Sequence, residues 1–274
     1  MQDAVRLVCL DVDGTLLGAS GVVRDAVWRA TERARDAGLR LALCSGRPGF
    51  GVTRGLASQV EPDGWHCFQN GASVLHLAAG ESLSSELPAE SLAMLIARAR
   101  AVDRPLELYT DDEYVTESLS EVARLHAALL GLPFDPRPYD SLPPPIVRAQ
   151  WLLTHAELEG VLAEPHPGLE ISPSLGPALP DHVFVNLTRR GIDKGSAVRA
   201  IAAAYGVELR DVMYVGDGFN DTPALRIVGW PVAMANAEPV ALALARHFVG
   251  SVEEDGVVEA LALATASGER RAAG

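Results

Sequence analysis

Four apolar segments of strand length each end in a polar residue that could bind a metal ion or a phosphoryl group. The segments are Val5–Leu10, Leu39–Cys44, His66–Gln69 and Asp211–Gly216, and the residues that end them are Asp11, Ser45, Asn70 and Asp217. In an open parallel sheet, ligands bind at the carboxyl ends of the strands, near the point where the strand order reverses. We therefore expect these four side chains to converge on one crevice.

The first of these strand ends has two carboxylates in the sequence DVDGTLL. Asp11 and Asp13 can face one site if the backbone turns after the strand, and Gly14 permits such a turn. One carboxylate of such a pair can stay ionised as a nucleophile or metal ligand while the other works as acid and base. A solvated Asp-Gly turn is the alternative interpretation of this segment by itself.

The last strand end has a similar arrangement in the sequence GDGFNDTP. Asp217 ends an apolar strand, and Asp221 follows four residues later, just before Pro223 at an early helical position. Asp221 could simply be a first-turn acid that the helix dipole favours. Asp217 and Asp11 together would make an all-oxygen site suited to Mg²⁺.

Two further residues could neutralise or bind an anion at the same edge. The segment Ser45–Pro48 is predicted to open a helix, where a hydroxyl and free backbone N–H groups would form an anion site. A plain Ser N-cap is the alternative. The chain has 22 arginines and one lysine, Lys194, which starts a predicted helix capped by Asp193. A lysine carries a compact point charge, whereas an arginine carries a planar fork, so the two are not interchangeable in a confined site. This difference favours a role for Lys194 in the crevice over a role on the surface.

The elements that must position these residues indicate an α/β fold. Strands alternate with helices in the first and last thirds of the chain, which predicts a Rossmann-like parallel-sheet core. Residues 84–188 differ, with more prolines and closely spaced strands, and are predicted to be an inserted α+β domain. The predicted core then comprises residues 1–83 and 189–274. The end of the chain, Ser267–Gly274, is small and polar and is predicted to be frayed.

Composition narrows the class of partner. The 23 basic and 36 acidic residues give a net charge of −13, which argues against nucleic acid or an anionic membrane as the main partner. No apolar run is long enough to span a bilayer, and the first residues lack the features of a signal peptide. We therefore expect a cytoplasmic protein, in which Cys9, Cys44 and Cys67 are buried and reduced. The sequence does not define an oligomeric state.

As a set, the motifs resemble those of the haloacid dehalogenase-like (HAD) phosphohydrolase superfamily. They are DVDGT (Asp11–Thr15), the strand-end Ser45, Lys194 and GDGFND (Gly216–Asp221). The inserted region, with the predicted order αββαβαββ, resembles a type IIB cap. The inserted region lies between FQNGA (Phe68–Ala72) and Lys194, a position similar to that of the cap in the Cof-type subfamily.

This resemblance implies a role for each matching residue. Asp11 would be the nucleophile that becomes a phosphoaspartate, and Asp13 would be the acid and base. Mg²⁺ would be held by the Asp11 carboxylate, the Asp13 backbone carbonyl and Asp217, while Asp221 would support the metal through water or hold Lys194. The residues expected to contact the phosphoryl oxygens are Thr15, Ser45, Gly46, Lys194 and Asn220.

The function that this resemblance implies is a Mg²⁺-dependent phosphatase of small phosphorylated metabolites, either sugar phosphates or related compounds. A phosphomutase of the phosphomannomutase type is the nearest alternative, and a non-catalytic phosphometabolite-binding protein is a third. The resemblance assigns selection of the leaving group to the cap. The possible contacts there, which the sequence does not separate from ordinary surface residues, are Arg148, His155, His182 and Asn186.

Overall fold

The computed structural model describes residues 4–175 and 179–272. Within these ranges the strands β1 to β13 span Leu7–Asp11, Arg40–Cys44, Trp65–Phe68, Ser73–His76, Glu81–Ser82, Leu106–Tyr109, Tyr114–Thr116, Arg148–Thr154, Leu169–Leu175, His182–Arg189, Val212–Gly216, Trp230–Met234 and His247–Val249. The α-helices α1 to α9 span Asp25–Asp36, Val52–Val60, Ala89–Val102, Glu121–Leu129, His155–Ala163, Lys194–Ala204, Thr222–Leu225, Pro239–Leu242 and Gly256–Ala272. The described helices include none that is both long and apolar enough to cross a membrane.

The chain divides into two compact units. The first, here the core unit, comprises residues 1–47, 54–83 and 193–274, and the second, here the inserted unit, comprises residues 48–53 and 84–192. The sequence placed the second junction at residues 188/189, and the structure places it at 192/193. It also assigns Pro48–Thr53 to the inserted unit, whereas the sequence predicts that these residues belong to the core.

The core unit is built on an eight-stranded sheet with the order β13-β12-β11-β1-β2-β3-β4-β5. The strands from β13 to β3 are parallel, as the alternation of strands and helices predicts. Strand β1 lies between β2 and β11. The strands that follow β1 are added on the β2 side of the sheet, and the strands after the inserted unit are added on the β11 side. This is the reversal of strand order at which open α/β sheets bind ligands.

Helices cover both faces of this sheet, which explains why its central strands are apolar throughout. All five residues of β1 are buried. On one face, Leu10 and Val215 pack with α1 and α9, and on the other, Cys9 and Tyr214 pack with α6 and α7. Strands buried on both faces lack the alternation of apolar and polar residues that a half-exposed strand shows. The three cysteines lie in this interior as buried free thiols, as predicted.

The inserted unit is an antiparallel sheet with the order β7-β6-β8-β10-β9. Its elements follow one another as αββαβαββ, which is the order predicted from the sequence. One face of the sheet packs on α3 and α5 around Leu95 and Trp151. The other face carries buried polar groups, among them Glu107, which accepts hydrogen bonds from the Tyr109 hydroxyl at 2.5 Å and pairs with His126 at 2.9 Å.

Two local predictions are wrong. The helix expected to open at Ser45 begins at Val52, because the residues after Ser45 form a turn that the Ser45 side chain closes. The tail predicted to be frayed continues α9 to Ala272. Ser267 is buried there, where its hydroxyl accepts a hydrogen bond from the Val5 N–H at 2.9 Å. Residues 273 and 274 of that prediction lie outside the described residues.

The sequence reading also omitted an antiparallel extension of the core sheet. After β3 the chain makes a short turn at Gln69–Gly71 and returns as β4, which pairs antiparallel with β3 and is followed by β5. Gln69 and Asn70 both have φ near +55°, the left-handed region in which asparagine is more easily accommodated than most residues. This reversal places Asn70 at the end of β3.

Candidate active site

A buried lysine between two carboxylates forms the centre of the site. Asp11 is the last residue of β1 and Lys194 is the first residue of α6. The Nζ of Lys194 lies 2.5 Å from Oδ1 of Asp11 and 2.7 Å from Oδ1 of Asp221. Burial lowers the pKa of a lysine, but the two carboxylates more than offset this and hold the pKa of Lys194 above its usual value. The two carboxylates therefore favour the charged form of the lysine in this cluster.

The start of α6 is fixed by its cap, and this places Lys194. The Asp193 carboxylate accepts the N–H of Ser196 at 2.8 Å, and the Asp193 N–H donates to the Ser196 hydroxyl at 3.0 Å. Asp193 is the cap that the sequence predicted. The next residue, Gly195, lets the helix approach the chain closely, since a Cβ there would lie 2.7 Å from the Pro223 carbonyl oxygen.

Asp221 organises the loop after β11 as well as the lysine. Its Oδ1 accepts hydrogen bonds from Lys194 and from the Tyr214 hydroxyl at 2.7 Å, and its Oδ2 accepts the N–H groups of Asp217 and Gly218 at 2.9 Å each. Asp221 is fully buried. These four donors fix the Asp221 carboxylate, which holds Lys194 by a hydrogen bond. The alternative role, support of the metal through water, stays a prediction.

The carboxylates form an oxygen-rich cluster that could hold a divalent cation. One oxygen from each of Asp11, Asp217 and Asp221 lies within 4.8 Å of the others. The Thr15 hydroxyl donates to Oδ1 of Asp217 at 3.2 Å, and burial together with Asp221 raises the pKa of Asp217 to about 6. Three acids around one lysine leave excess negative charge, so the donor set fits a hard cation such as Mg²⁺.

Gly14 makes the close packing of this cation site possible. Its φ is +81°, and a Cβ at this position would overlap the carboxylate of Asp217. The Gly14 carbonyl accepts a hydrogen bond from Nδ2 of Asn236 at 2.8 Å, and Oδ1 of Asn236 accepts the Val252 N–H at 2.9 Å. Asn236 thus ties the turn after β1 to a neighbouring loop, a role that the sequence reading did not assign.

Asp13 lies apart from the buried cluster. Its side chain is 59% exposed, and Arg47 binds it through two parallel contacts, Nε to Oδ2 at 3.0 Å and Nη2 to Oδ1 at 2.5 Å. The two carboxylates of DVDGT therefore have different surroundings, as a division of labour between them requires. The sequence reading missed Arg47, although its position two residues after the strand-end Ser45 could have identified it.

The remaining predicted phosphate contacts meet at the neighbouring strand ends. Ser45 is buried, and its hydroxyl accepts the Arg47 N–H at 3.0 Å. A Cβ on Gly46 would lie 3.0 Å from Oδ1 of Asn70, and the same oxygen accepts a hydrogen bond from Nδ2 of Asn220 at 3.1 Å. The expected convergence of Asp11, Ser45, Asn70 and Asp217 is observed, but Ser45 does not stand at a helix N-terminus.

The four cap residues named from the sequence lie in two places within the inserted unit. Arg148 is buried with its guanidinium 4.0 Å from the ring centre of Tyr109, and its Nη1 donates to Oδ1 of Asn186 at 3.1 Å. His182 pairs with Thr154 at the far end of β8, next to His155. Arg148 and Asn186 therefore form one group, and the two histidines do not belong to it.

The fold agrees with what is found by comparison with known proteins. A family model of haloacid dehalogenase-like hydrolases matches residues 8–130 and 179–261. The chain belongs to this family, which confirms the resemblance drawn from its four motifs.

Individual relatives cover nearly the whole chain. YxeH of Bacillus subtilis (strain 168), a provisionally named phosphatase, is 28% identical over 93% of this chain and 97% of the relative. An HMP-PP phosphatase of Yersinia pseudotuberculosis is 27% identical over 85% of each chain. A solved structure, the HAD subclass IIB sugar phosphatase BT4131, has the same fold with a TM-score of 0.78 at 23% identity, over 94% of this chain and 98% of the other.

Proposed function

We propose that this chain is a Mg²⁺-dependent phosphatase that hydrolyses small phosphorylated metabolites, sugar phosphates or related compounds, through a phosphoaspartate on Asp11. The observation that carries the proposal is the position of Lys194 between Asp11 and Asp221, with Asp217 beside them. A strand-end carboxylate held by a buried cation is positioned for attack on phosphorus, and the other acids supply a cation site. The phosphatase names of two relatives support this activity.

The buried cluster would carry the first step. An Asp11 oxygen bonds to phosphorus while the bond from phosphorus to the leaving oxygen breaks, and Asp13 gives its proton to that oxygen. Lys194 stays charged throughout and balances negative charge on the phosphoryl oxygens. The Thr15 hydroxyl, which donates to Asp217, would also contact a phosphoryl oxygen. Hydroxyl, amide and backbone groups at Ser45, Gly46 and Asn220 would bind the phosphoryl oxygens.

The second step would return Asp11 to its free form. Asp13, now a carboxylate, takes a proton from water, the water oxygen bonds to phosphorus and the Asp11–phosphorus bond breaks to release phosphate. Asp11, Asp217 and the Asp13 backbone carbonyl would hold Mg²⁺, whose positive charge would lower the repulsion between the nucleophile and the phosphoryl group. In this mechanism Asp221 acts through Lys194 and the loop after β11. We assign selection of the leaving group to the inserted unit by its resemblance to a cap.

The experiment that tests the proposal is phosphate release from a panel of phosphorylated metabolites in the presence of Mg²⁺. Wild type should release phosphate from several members, and Asp11→Asn should release none. A hexose bisphosphate added to a hexose monophosphate separates the nearest alternative, because it activates a mutase and is hydrolysed or ignored by a phosphatase. Binding of panel members without any turnover would overturn the proposal in favour of a binding protein.

A further inference from the structure

We infer that Arg47 is a positioning residue for the reaction, whose guanidinium orients the Asp13 carboxylate toward the leaving oxygen and then toward water. The inference rests on the proposed function, because it gives a partner to the acid and base of that mechanism. It adds a residue of the Ser45–Pro48 turn that none of the motif assignments includes.

The contact between Arg47 and Asp13 is bidentate, with the fork of the guanidinium facing both carboxylate oxygens. Nε and Nη2 of Arg47 each donate to a different oxygen of Asp13, at 3.0 Å and 2.5 Å. Two parallel hydrogen bonds between planar groups fix the plane of the carboxylate as well as its distance. Asp13 is 59% exposed, so its side chain would otherwise be free to change rotamer in solvent. The fork therefore selects one orientation of the carboxylate.

The arginine is itself held from a fixed backbone. Its N–H donates to the buried hydroxyl of Ser45 at 3.0 Å, and its carbonyl oxygen accepts the N–H of Gln69 at 2.9 Å. Ser45 and Gln69 are both fully buried at the ends of β2 and β3. Because its backbone is fixed in this way, the Arg47 side chain leaves the turn in a defined direction.

The backbone on the Asp13 side of the pair is anchored as well. The N–H of Gly14 donates to the carbonyl of Leu17 at 2.9 Å, and the carbonyl of Gly14 accepts from Asn236 at 2.8 Å. Both partners of the ion pair thus extend from turns that are tied to other parts of the core unit. This distinguishes the pair from Arg124 and Glu121, a bidentate pair that lies within one turn on the exposed face of helix α4.

The chemistry predicts where the effect of Arg47 should appear. A poor leaving group, such as an alkyl alcohol, needs a proton from Asp13 as its bond to phosphorus breaks, and an aryl leaving group needs little protonation. Misdirecting Asp13 should therefore slow the alkyl phosphate far more than the aryl phosphate. The loss is bounded by what general acid–base catalysis contributes, about 10²- to 10⁴-fold.

The experiment compares Arg47→Gln and Arg47→Lys with wild type on one alkyl and one aryl phosphate, with thermal melting to show that the variants fold. We expect kcat/KM to fall by about 10- to 100-fold on the alkyl phosphate and by less than about threefold on the aryl phosphate. The loss should appear in kcat rather than KM. Arg47→Lys should resemble Arg47→Gln, because an ammonium cannot make the paired contact. Arg124→Gln is the matched control and should behave as wild type.

A double-mutant cycle with Asp13→Asn separates the inference from its rivals. If Arg47 acts through Asp13, Arg47→Gln has no further effect on the alkyl phosphate once Asp13 is replaced. An equal loss on both substrates that persists with Asp13→Asn would overturn the inference, since Arg47 would then bind the phosphoryl group directly. Unchanged kinetics would mean an ordinary surface ion pair. If the wild type is inactive on both substrates, the proposed function and this inference are overturned together. If the wild type is active and Arg47→Gln shows an equal loss on both substrates, or no loss, only this inference is overturned.

Discussion

The Nζ of Lys194 lies 2.5 Å from Oδ1 of Asp11, although the two residues are 183 positions apart in the sequence. The nucleophile of the proposed mechanism comes from the first strand, and the cation beside it comes from a helix that follows the whole inserted unit. Each is buried where an unpaired charge would be costly. The hydrogen-bonded pair therefore links the first and the last segment of the core unit.

Replacing Lys194 by arginine tests whether a point charge is required. We expect kcat/KM to drop at least about 10²-fold, or roughly 2.7 kcal/mol, comparable to removing one preorganised charge-stabilising donor. Because Lys194 is 1% exposed, the larger fork must also displace its neighbours, and stability should fall by about 1–3 kcal/mol. The measurements are steady-state kinetics and urea unfolding. Arg199→Lys, an exposed change on the same helix, is the control, and wild-type kinetics in Lys194→Arg would remove the lysine from the mechanism.

The two aspartates of DVDGT should differ when each is changed to asparagine. Asp11→Asn should abolish turnover on every substrate, because an amide does not attack phosphorus. Asp13→Asn should slow turnover by about 10²- to 10⁴-fold on an alkyl phosphate and less on an aryl phosphate. Trapping of phosphate from labelled substrate on the acid-quenched protein checks the intermediate. Label retained by Asp11→Asn would contradict the assignment of the nucleophile.

Removing divalent metal should stop activity and lower the melting temperature. Turnover should vanish in excess EDTA and return with Mg²⁺, since the carboxylate and the phosphoryl group repel each other without a cation. Mg²⁺ should raise the melting temperature of the wild type through binding to the folded state. Asp217→Asn should lose most of this increase, whereas Asp63→Asn, at a 77% exposed side chain, should keep it. A chelator-resistant activity would exclude the proposed cation site.

Acid should destabilise the core unit through His66. Its Nδ1 accepts the Leu43 N–H at 3.0 Å and its Nε2 lies 2.8 Å from the Glu61 carbonyl oxygen, so the folded state holds a neutral ring. Burial lowers the pKa of His66 from 6.5 to about 4. Between these values the unfolded chain binds a proton that the folded state does not. The neutral His66 ring therefore makes its whole contribution to the free energy of unfolding above pH 6.5. This contribution is lost as the pH falls toward 4, and the loss is about 3 kcal/mol in all.

The measurement for His66 is the free energy of unfolding in urea at several pH values between 7 and 4. Glutamine supplies an acceptor and a donor without titrating, so His66→Gln is the matched variant. The difference in stability between wild type and His66→Gln should change by about 3 kcal/mol over this range. A constant difference would show that His66 does not change its protonation on folding.

The sequence allowed prediction of the parts of this protein that depend on local patterns. Four strand ends with polar residues indicated the site, and the order αββαβαββ of the inserted unit was readable from periodicity and turn residues. Asp193 as a helix cap followed from its position before Lys194. Each of these features is decided by a few neighbouring residues, which is why the sequence alone was sufficient.

The missed features depend on contacts between distant segments. Tyr214 has the pattern of an ordinary core residue, and only the fold brings its hydroxyl to Asp221. Ser267 is buried because it meets the N–H of Val5, and a small polar tail gives no sign of this. The turn after Ser45 is closed locally by the Ser45 hydroxyl, and it is also held from a distant segment, because the Gln69 N–H at the next strand end donates to the Arg47 carbonyl.

The pairing of β1 with β11 also sets the order in which the protein can become active as it is synthesised. Leu7 of β1 pairs with Val212 of β11, and the Val5 N–H just before β1 donates to Ser267, so one edge of the first strand is completed only by the last third of the chain. The other edge pairs with β2, which is made early. The inserted unit draws its own apolar cluster from residues 87–187 and is complete earlier. Domains generally fold as units during synthesis. In the proposed mechanism, a chain stopped before Asp217 has the nucleophile Asp11 but lacks part of the cation site, so we expect no hydrolase activity until the core unit is complete.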